Sequence, residues 1–320
     1  MAFHKILLCK GGSKMKTAKL VWLIIAICLV LIGATICFTS IKSIDFDFKK
    51  FNTMEYTTKT HTVTENFADI SILAAECDVE FKLSDDGTCK IECLEDERLS
   101  HFIEVKENKL VIERIDNRKW YEHIGIYNGE IHLTVYLPNY SYNSLILSTL
   151  SGDVNITKDF VFDNAEIITT SGDVSFTARV NEKLKLSSNS GEITLGPIIT
   201  KNVEIDTSSG DITLENVKCD NLNLHSTSGE IGLNQVKANG DMQIKTTSGD
   251  IELEYCDAKE LYLYSTSGDI EGTLLTPKIF SVKTTSGDVS VPNSNDGGKC
   301  QIKTTSGDID VQIKTVCWVN

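Results

Sequence analysis

Nine carboxylates recur in one frame along the second half of the sequence: Asp153, Asp173, Glu192, Asp211, Glu230, Asp250, Asp269, Asp288 and Asp308. Each follows a glycine: Gly152, Gly172, Gly191, Gly210, Gly229, Gly249, Gly268, Gly287 and Gly307. Stacked at even spacing, such acids could do one kind of chemistry, holding Ca²⁺ between neighbouring copies through hard oxygen donors. Ca²⁺ takes roughly six to eight oxygens, and each copy supplies one carboxylate. The competing account is local: Asp beside Gly caps the backbone of a turn, and water screens the stripe. The residues favour turn chemistry and leave a Ca²⁺ ladder as the alternative. A serine precedes every one of these glycines, but no general base stands beside it, so the serines do not form a row of nucleophiles.

Other reactive side chains are scattered. Seven cysteines follow position 40: Cys77, Cys89, Cys93, Cys219, Cys256, Cys300 and Cys317. Seven is odd, so at least one has no partner within the chain. Cys89 and Cys93, with Cys77, could form a bridge or a metal site, packing being the plainer role. Cys256 and Cys300 fill apolar slots of the repeat and read as small buried hydrophobes more than two coils apart. None of the six histidines clusters with Cys, Asp or Glu at metal-ligand spacing. No nucleophile motif, phosphate loop or carboxylate pair stands out, so no catalytic, cofactor or firm metal residue is assigned. Trp120-Tyr121, in the stretch Asn117–Asn128, is the aromatic candidate for a contact.

These residues are positioned by a repeat. Successive glycines are 19 or 20 residues apart, the mark of one supersecondary unit stacked on itself. With glycine as position zero, minus seven and minus five are apolar in every copy, as in Leu184 and Leu186 or Met242 and Ile244. Plus two is always Val or Ile, and plus four is apolar except at Gly272. A third apolar position recurs near plus seven, as at Ile198, Val217 and Val236. This period-two alternation predicts strands with one buried face, joined at a Ser-Gly-Asp corner where glycine tolerates positive φ. Minus three (Thr or Ser) and minus one (Ser) fall on the inward side and predict two hydroxyl ladders. One coil cannot bury its own apolar face, so coils must stack and hydrogen-bond to the next. Residues 141–320 therefore read as a parallel β-solenoid of nine ~19-residue coils, a rod of about 43 Å at about 4.8 Å per coil.

The rest of the chain supplies context. Residues 1–19 are basic, with Lys5, Lys10, Lys14, Lys16 and Lys19. Residues 20–38 (Leu20–Phe38) are uncharged and long enough to cross a bilayer as one transmembrane helix. The lysines place the N-terminus inside and the C-terminal domain outside, at a plasma membrane. A cleaved signal peptide is the rival reading. Residues 39–60 read as a stalk and 61–140 as a β-rich N-terminal cap. Val311–Val319, with Trp318, reads as a last strand closing the far end. Beyond position 40 there are 26 basic and 45 acidic residues, a net of −19. That charge excludes nucleic-acid binding through phosphates and suits cations, basic peptides or a cationic surface.

The phrase Φ-x-Φ-x-[Thr/Ser]-x-Ser-Gly-[Asp/Glu]-[Val/Ile]-x-Φ resembles the bacterial β-strand-repeat family called "putative adhesin", a domain of unknown function that includes LiaG-like membrane-anchored proteins associated with cell-envelope stress. Over about 65–315 the Asp78-Val79-Glu80 strand, the Asp85-Asp86-Gly87 turn and the Leu137-Pro138 strand end are similar too. The resemblance implies a surface β-solenoid and carries no catalytic residues. The expectation is an all-β, single-pass, cell-surface binding or scaffold module that is not an enzyme. Its partners would be the membrane and a cell-wall polymer or envelope protein, with Tyr262, Tyr264 and a lysine row as contacts. A polysaccharide-acting β-helix enzyme and a passive spacer are the alternatives.

Overall fold

The computed structural model describes residues 17–43, 57–95, 98–118 and 131–314. They fall into two units, a helix and a β-structure. The helix, Thr17–Ser43, holds the whole apolar run. Its described large side chains, among them Trp22, Leu29 and Phe38, are exposed. Many of its side chains fall outside the described residues, and over the described ones no helix is long and apolar enough to cross a membrane.

The β-structure is a parallel solenoid, and the alternation explains it. Strands containing Leu145, Ala165, Leu184, Val203, Leu222, Met242 and Leu261 pair side by side in register, each parallel to the last. After the corner, Val154, Val174, Ile193, Ile212, Ile231, Ile251 and Ile270 do the same in the second sheet. All of these side chains are buried in one continuous core. Each buried Leu or Ile contributes roughly 1.5–3 kcal/mol, and stacking buries what a lone coil would expose.

Close approach, more than backbone conformation, is what fixes the corner glycines. A Cβ at any of the nine would lie 1.9–2.3 Å from a carbonyl oxygen of the adjacent coil. Among the nine, a φ in the left-handed half of the map occurs only at Gly229, Gly287 and Gly307, at 141–154°. Tolerance of positive φ is therefore the lesser reason for glycine here. The corner backbones stack directly on one another, and any side chain would wedge the coils apart.

Three expectations are corrected. First, the coils do not all stack in chain order. The strand Gly298–Lys303 lies between Ile251–Tyr264 and Lys278–Lys283, so the Gly307 coil is inserted beneath the Gly287 coil. Val311 is thus an internal core residue, and among the described residues the outermost strands at this end are Lys278–Lys283 and Val289–Ser290. Residues 315–320, with Cys317 and Trp318, lie outside the described residues. This end coil is looser, with Ile279 and Val289 both 49% exposed. Pro277 and Pro292 bracket it, and proline together with lysine blunts an open strand edge. Gly297 and Gly298 make the crossing: a Cβ on either would lie 1.8 or 1.7 Å from a carbonyl oxygen of Pro277 or Lys259. Insertion also brings Cys300 beside Leu261, closer to the coil of Cys256 than chain order implies. Both remain free and buried.

Second, the minus-one serines, such as Ser171, Ser209 and Ser248, point outward and are exposed. Only the minus-three hydroxyls go inward, and their ladder is broken. Thr149 Oγ1 donates to the Ala75 carbonyl at 2.7 Å and Thr304 Oγ1 to that of Gly268 at 3.2 Å. Mid-rod, the hydroxyls of Ser188, Thr207, Ser226 and Thr246 are buried without a partner.

Third, the solenoid begins before residue 141. Asp69–Ala75 pairs parallel with Ser141–Thr149, and Asp78–Leu83 with Val154–Ile156. Ile70, Ile72, Cys77, Asp78, Val79 and Phe81 occupy the minus-seven, minus-five, zero, plus-one, plus-two and plus-four slots of an unmarked coil. The Cys77 carbonyl meets Gly152 as each glycine carbonyl meets the next. Lys109–Asp116 and His132–Leu137 stack outside that coil. Antiparallel strands Thr57–Val63, Cys89–Glu95 and Leu99–Lys106 then close the end. Glu107 and Asn108, both at positive φ, make the tight hairpin turn into Lys109–Asp116.

Candidate functional site

The acidic row lies along one exposed edge of the rod, and one oxygen of each of six of its aspartates, and of Asp78 before them, meets the next coil. Asp78 Oδ1 accepts the Asp153 amide, Asp153 that of Asp173, and Asp173 that of Glu192. Asp211 serves Glu230, Asp250 serves Asp269, Asp269 serves Asp308, and Asp308 serves Asp288. These bonds are 2.7–2.9 Å. The carboxylates compensate their mutual repulsion by hydrogen-bonding the next coil, which is turn chemistry passed between coils. Asp78, unmarked by the repeat phrase, is the first rung. The two glutamates break the chain, because the longer side chain of Glu192 or Glu230 does not cap the following amide. At Glu230 the charge of Glu252 leads, with burial and then Asp211 and Asp250, in raising the carboxyl above its ordinary range.

Charge is segregated among the faces. Glu215, Glu230, Glu252, Glu254, Glu271 and Asp310 share one shallow depression on the sheet that follows the corners. On the return segments, plus five to plus eight, lies a groove of about 750 Å³. Its floor is Pro197, Ile198, Ile199, Tyr255 and Leu275, and Ile199 is 65% exposed. Its rim carries Lys158, Arg179, Lys218 and Lys237. Ile199 pairs with Lys218 and Lys218 with Lys237, so two like charges stand on adjacent rungs. None of the four cations has an ion-pair partner among the described residues, whereas Lys278 further along is paired to Asp257 at 2.7 Å. Asn216, Gln235 and Tyr255, all at plus six, line the groove with φ of 53–56°. Left-handed backbone at a non-glycine residue costs on the order of 1–3 kcal/mol and gathers at functional surfaces. The varied return segment gave no fixed offset to read, so sequence reasoning missed this groove.

The expected tyrosine and lysine contacts are partly used internally. Lys299 sits 5.2 Å from the Tyr262 ring centroid, and Lys245 and Lys303 sit 5.9 and 5.6 Å from that of Tyr264. Glu260 accepts from the Tyr262 hydroxyl and raises its pKa to about 12. Trp120 and Tyr121 lie outside the described residues.

The cap gathers residues that looked scattered. Glu95 is 2% exposed. Its Oε1 accepts the His101 amide at 2.8 Å and lies 3.2 Å from His101 Nδ1, 3.5 Å from Cys93 Sγ and 3.5 Å from His61 Nε2. Lys59 Nζ holds Oε2 at 3.0 Å. Burial pushes the Glu95 carboxyl upward, but Lys59, the His101 amide, Cys93 and the His101 ring outweigh it and bring it to about 2. The expectation that no histidine clusters with Cys or Glu is corrected, because antiparallel pairing sets Lys59 opposite Cys93 and Thr57 opposite Glu95. Cys77, Cys89 and Cys93 form no bridge.

Solved structures share this architecture. A structure described as a putative adhesin, from Parabacteroides distasonis ATCC 8503, aligns with TM-score 0.52 and 15% identity, over 82% of this chain and 98% of its own. A second from the same organism, described as a putative lipid binding protein, aligns with TM-score 0.51 and 17% identity, over 81% and 97%. No curated protein sequence matches. A family model described as Toastrack DUF4097 matches residues 67–259 and 241–317.

Proposed function

The chain belongs to the Toastrack DUF4097 family, and from that premise we propose that it is a membrane-anchored, non-catalytic binding module of the cell surface. Its contact surface is the groove on the return segments, and its ligand is an anionic amphiphile. The observation that carries this is the groove itself: an apolar floor bordered by four cations without an ion-pair partner among the described residues, in a chain whose net charge is −14. An acyl chain matches Ile199, Pro197 and Leu275, and an anionic headgroup matches Lys158, Arg179, Lys218 and Lys237. The volume is in the roughly 300–1,000 Å³ range of ligand sites. The fold it shares with a structure described as a putative lipid binding protein supports this reading.

Anchoring is the other half of the proposal. Leu20–Phe38 would span the plasma membrane, with the lysine-rich N-terminus inside and the solenoid outside. The aspartates that cap the next coil's amides hold the rod together rather than reacting. The test is equilibrium binding of a fluorescent anionic lysophospholipid to the full chain in non-ionic detergent. Lys218→Glu/Lys237→Glu should lower affinity at least 10-fold, while a zwitterionic lysophospholipid should bind weakly to both chains. Equal binding by wild type and variant would sink the groove assignment.

A further inference from the structure

We propose that His61, Cys93 and Glu95 form a zinc-type metal site in the antiparallel cap, distinct from the groove. Among the described residues this is the one group of three or more His, Cys, Asp or Glu whose donor atoms all lie within 4.8 Å of one another. Imidazole nitrogen, thiolate sulfur and carboxylate oxygen are the ligand types of Zn²⁺, and they suit Ca²⁺ poorly. The spacing fits as well. A tetrahedral ion about 2.3 Å from sulfur and about 2.0 Å from oxygen separates the two by about 3.5 Å. Cys93 Sγ and Glu95 Oε1 are 3.5 Å apart, as are His61 Nε2 and Glu95 Oε1.

A second observation points to a ligand. His61 Nε2 is a buried ring nitrogen with no hydrogen-bond partner, although it lies nearest the most crowded oxygen of the cap. An unsatisfied buried polar atom is costly, and a metal would satisfy it. Supporting contacts are in place too: Lys59 holds Oε2, while the His101 amide and ring fix Oε1 beside the other two donors. Water would complete a four-coordinate ion. The His61 side chain is 35% exposed and gives the route in. Binding would release the Cys93 thiol proton, which makes uptake stronger as pH rises. The ion would tie strand Thr57–Val63, at the sheet edge, to Cys89–Glu95 and lock the rod's first end.

The test is metal binding by the full chain, purified under reducing conditions in non-ionic detergent and freed of metal by a chelator. One equivalent of Zn²⁺ should bind and raise the melting temperature. Co²⁺ should give a thiolate-to-metal charge-transfer band. Cys93→Ser should abolish that band, and His61→Gln, at a partly exposed position, should weaken Zn²⁺ at least 10-fold while staying folded. Failure of the folded wild type to take up one equivalent would overturn the proposal, as would a cobalt band that survives Cys93→Ser.

Discussion

The repeating coils and the N-terminal cap solve the same problem, a sheet that must not end raw, in opposite ways. In the coils each role has a fixed offset from a glycine: inward Leu or Ile, corner glycine, capping Asp. The result is one geometry copied along the rod and very little site chemistry. In the cap no role repeats. Lys59, His61, Cys93 and His101 come from three antiparallel strands and converge on the Glu95 carboxylate. Regularity makes a scaffold, and departures from it make sites. The return segments fall between the two, because they share the frame but vary in sequence, and the groove lies there.

The largest expected effect separates corner packing from glycine content. Gly210→Ala places a Cβ 2.0 Å from the Gly191 oxygen and should cost about 3 kcal/mol or more, at the upper end of overpacking losses. Gly232→Ala, with nothing within 4 Å of its Cβ, should stay within about 0.5 kcal/mol. Urea titration of both variants measures this. Equal losses would mean that backbone freedom, and not coil contact, selects the corner glycines.

The next effect concerns pH. Burial pushes the thiols of Cys219, Cys256 and Cys300 up from 9.0 to about 12. A raised folded pKa means stability that is full below pH 9 and lost as pH climbs toward 12. Each thiol should cost about 1.4 kcal/mol per pH unit in that window. Cys256→Val, which copies Val217 and Val236 of neighbouring coils, should be within about 1 kcal/mol of wild type at pH 8. It should lose less stability between pH 9 and pH 10.5, as measured by thermal melts at each pH. An unchanged alkaline slope would remove Cys256 from the account.

A smaller effect tests the ladder. Asp250→Ala removes the acceptor of the Asp269 amide and should cost about 1–2 kcal/mol. Asp250→Asn keeps an oxygen there and should cost less than half as much. Millimolar Ca²⁺ should move the wild-type melting temperature little, since one oxygen of each capping aspartate already holds an amide and each coil supplies a single carboxylate. A large calcium shift, lost in Asp250→Asn, would restore the cation reading.

Much of the solenoid was legible because inward positions, corners and acids recur in register and each coil repeats the same pattern. The insertion of the last coil was not, because the Gly287 and Gly307 coils carry the same Thr-Thr-Ser-Gly-Asp phrase. Its trace is Pro277 and Pro292 around one coil and the Gly297-Gly298 pair that lets the chain cross back. The first coil hid because Cys77 stands where glycine does elsewhere, although Ile70, Ile72, Val79 and Phe81 keep the alternation. The outward turn of the serines follows from the corner geometry, which ends the strand's strict period. The cap cluster left no local spacing signal, since its members meet through tertiary pairing. The groove's cations stand at plus six, plus seven and plus eight, so no single column marks them.

The most direct test of the account's central claim is to map where an anionic lipid touches the protein. The full chain in non-ionic detergent would be irradiated with phosphatidylglycerol bearing a photoactivatable acyl chain, and the labelled peptides identified by mass spectrometry. The account predicts labelling centred on Pro197–Ile199, Tyr255 and Leu275, suppressed in Lys218→Glu/Lys237→Glu. Labelling confined to Leu20–Phe38, and indifferent to those two lysines, would contradict it.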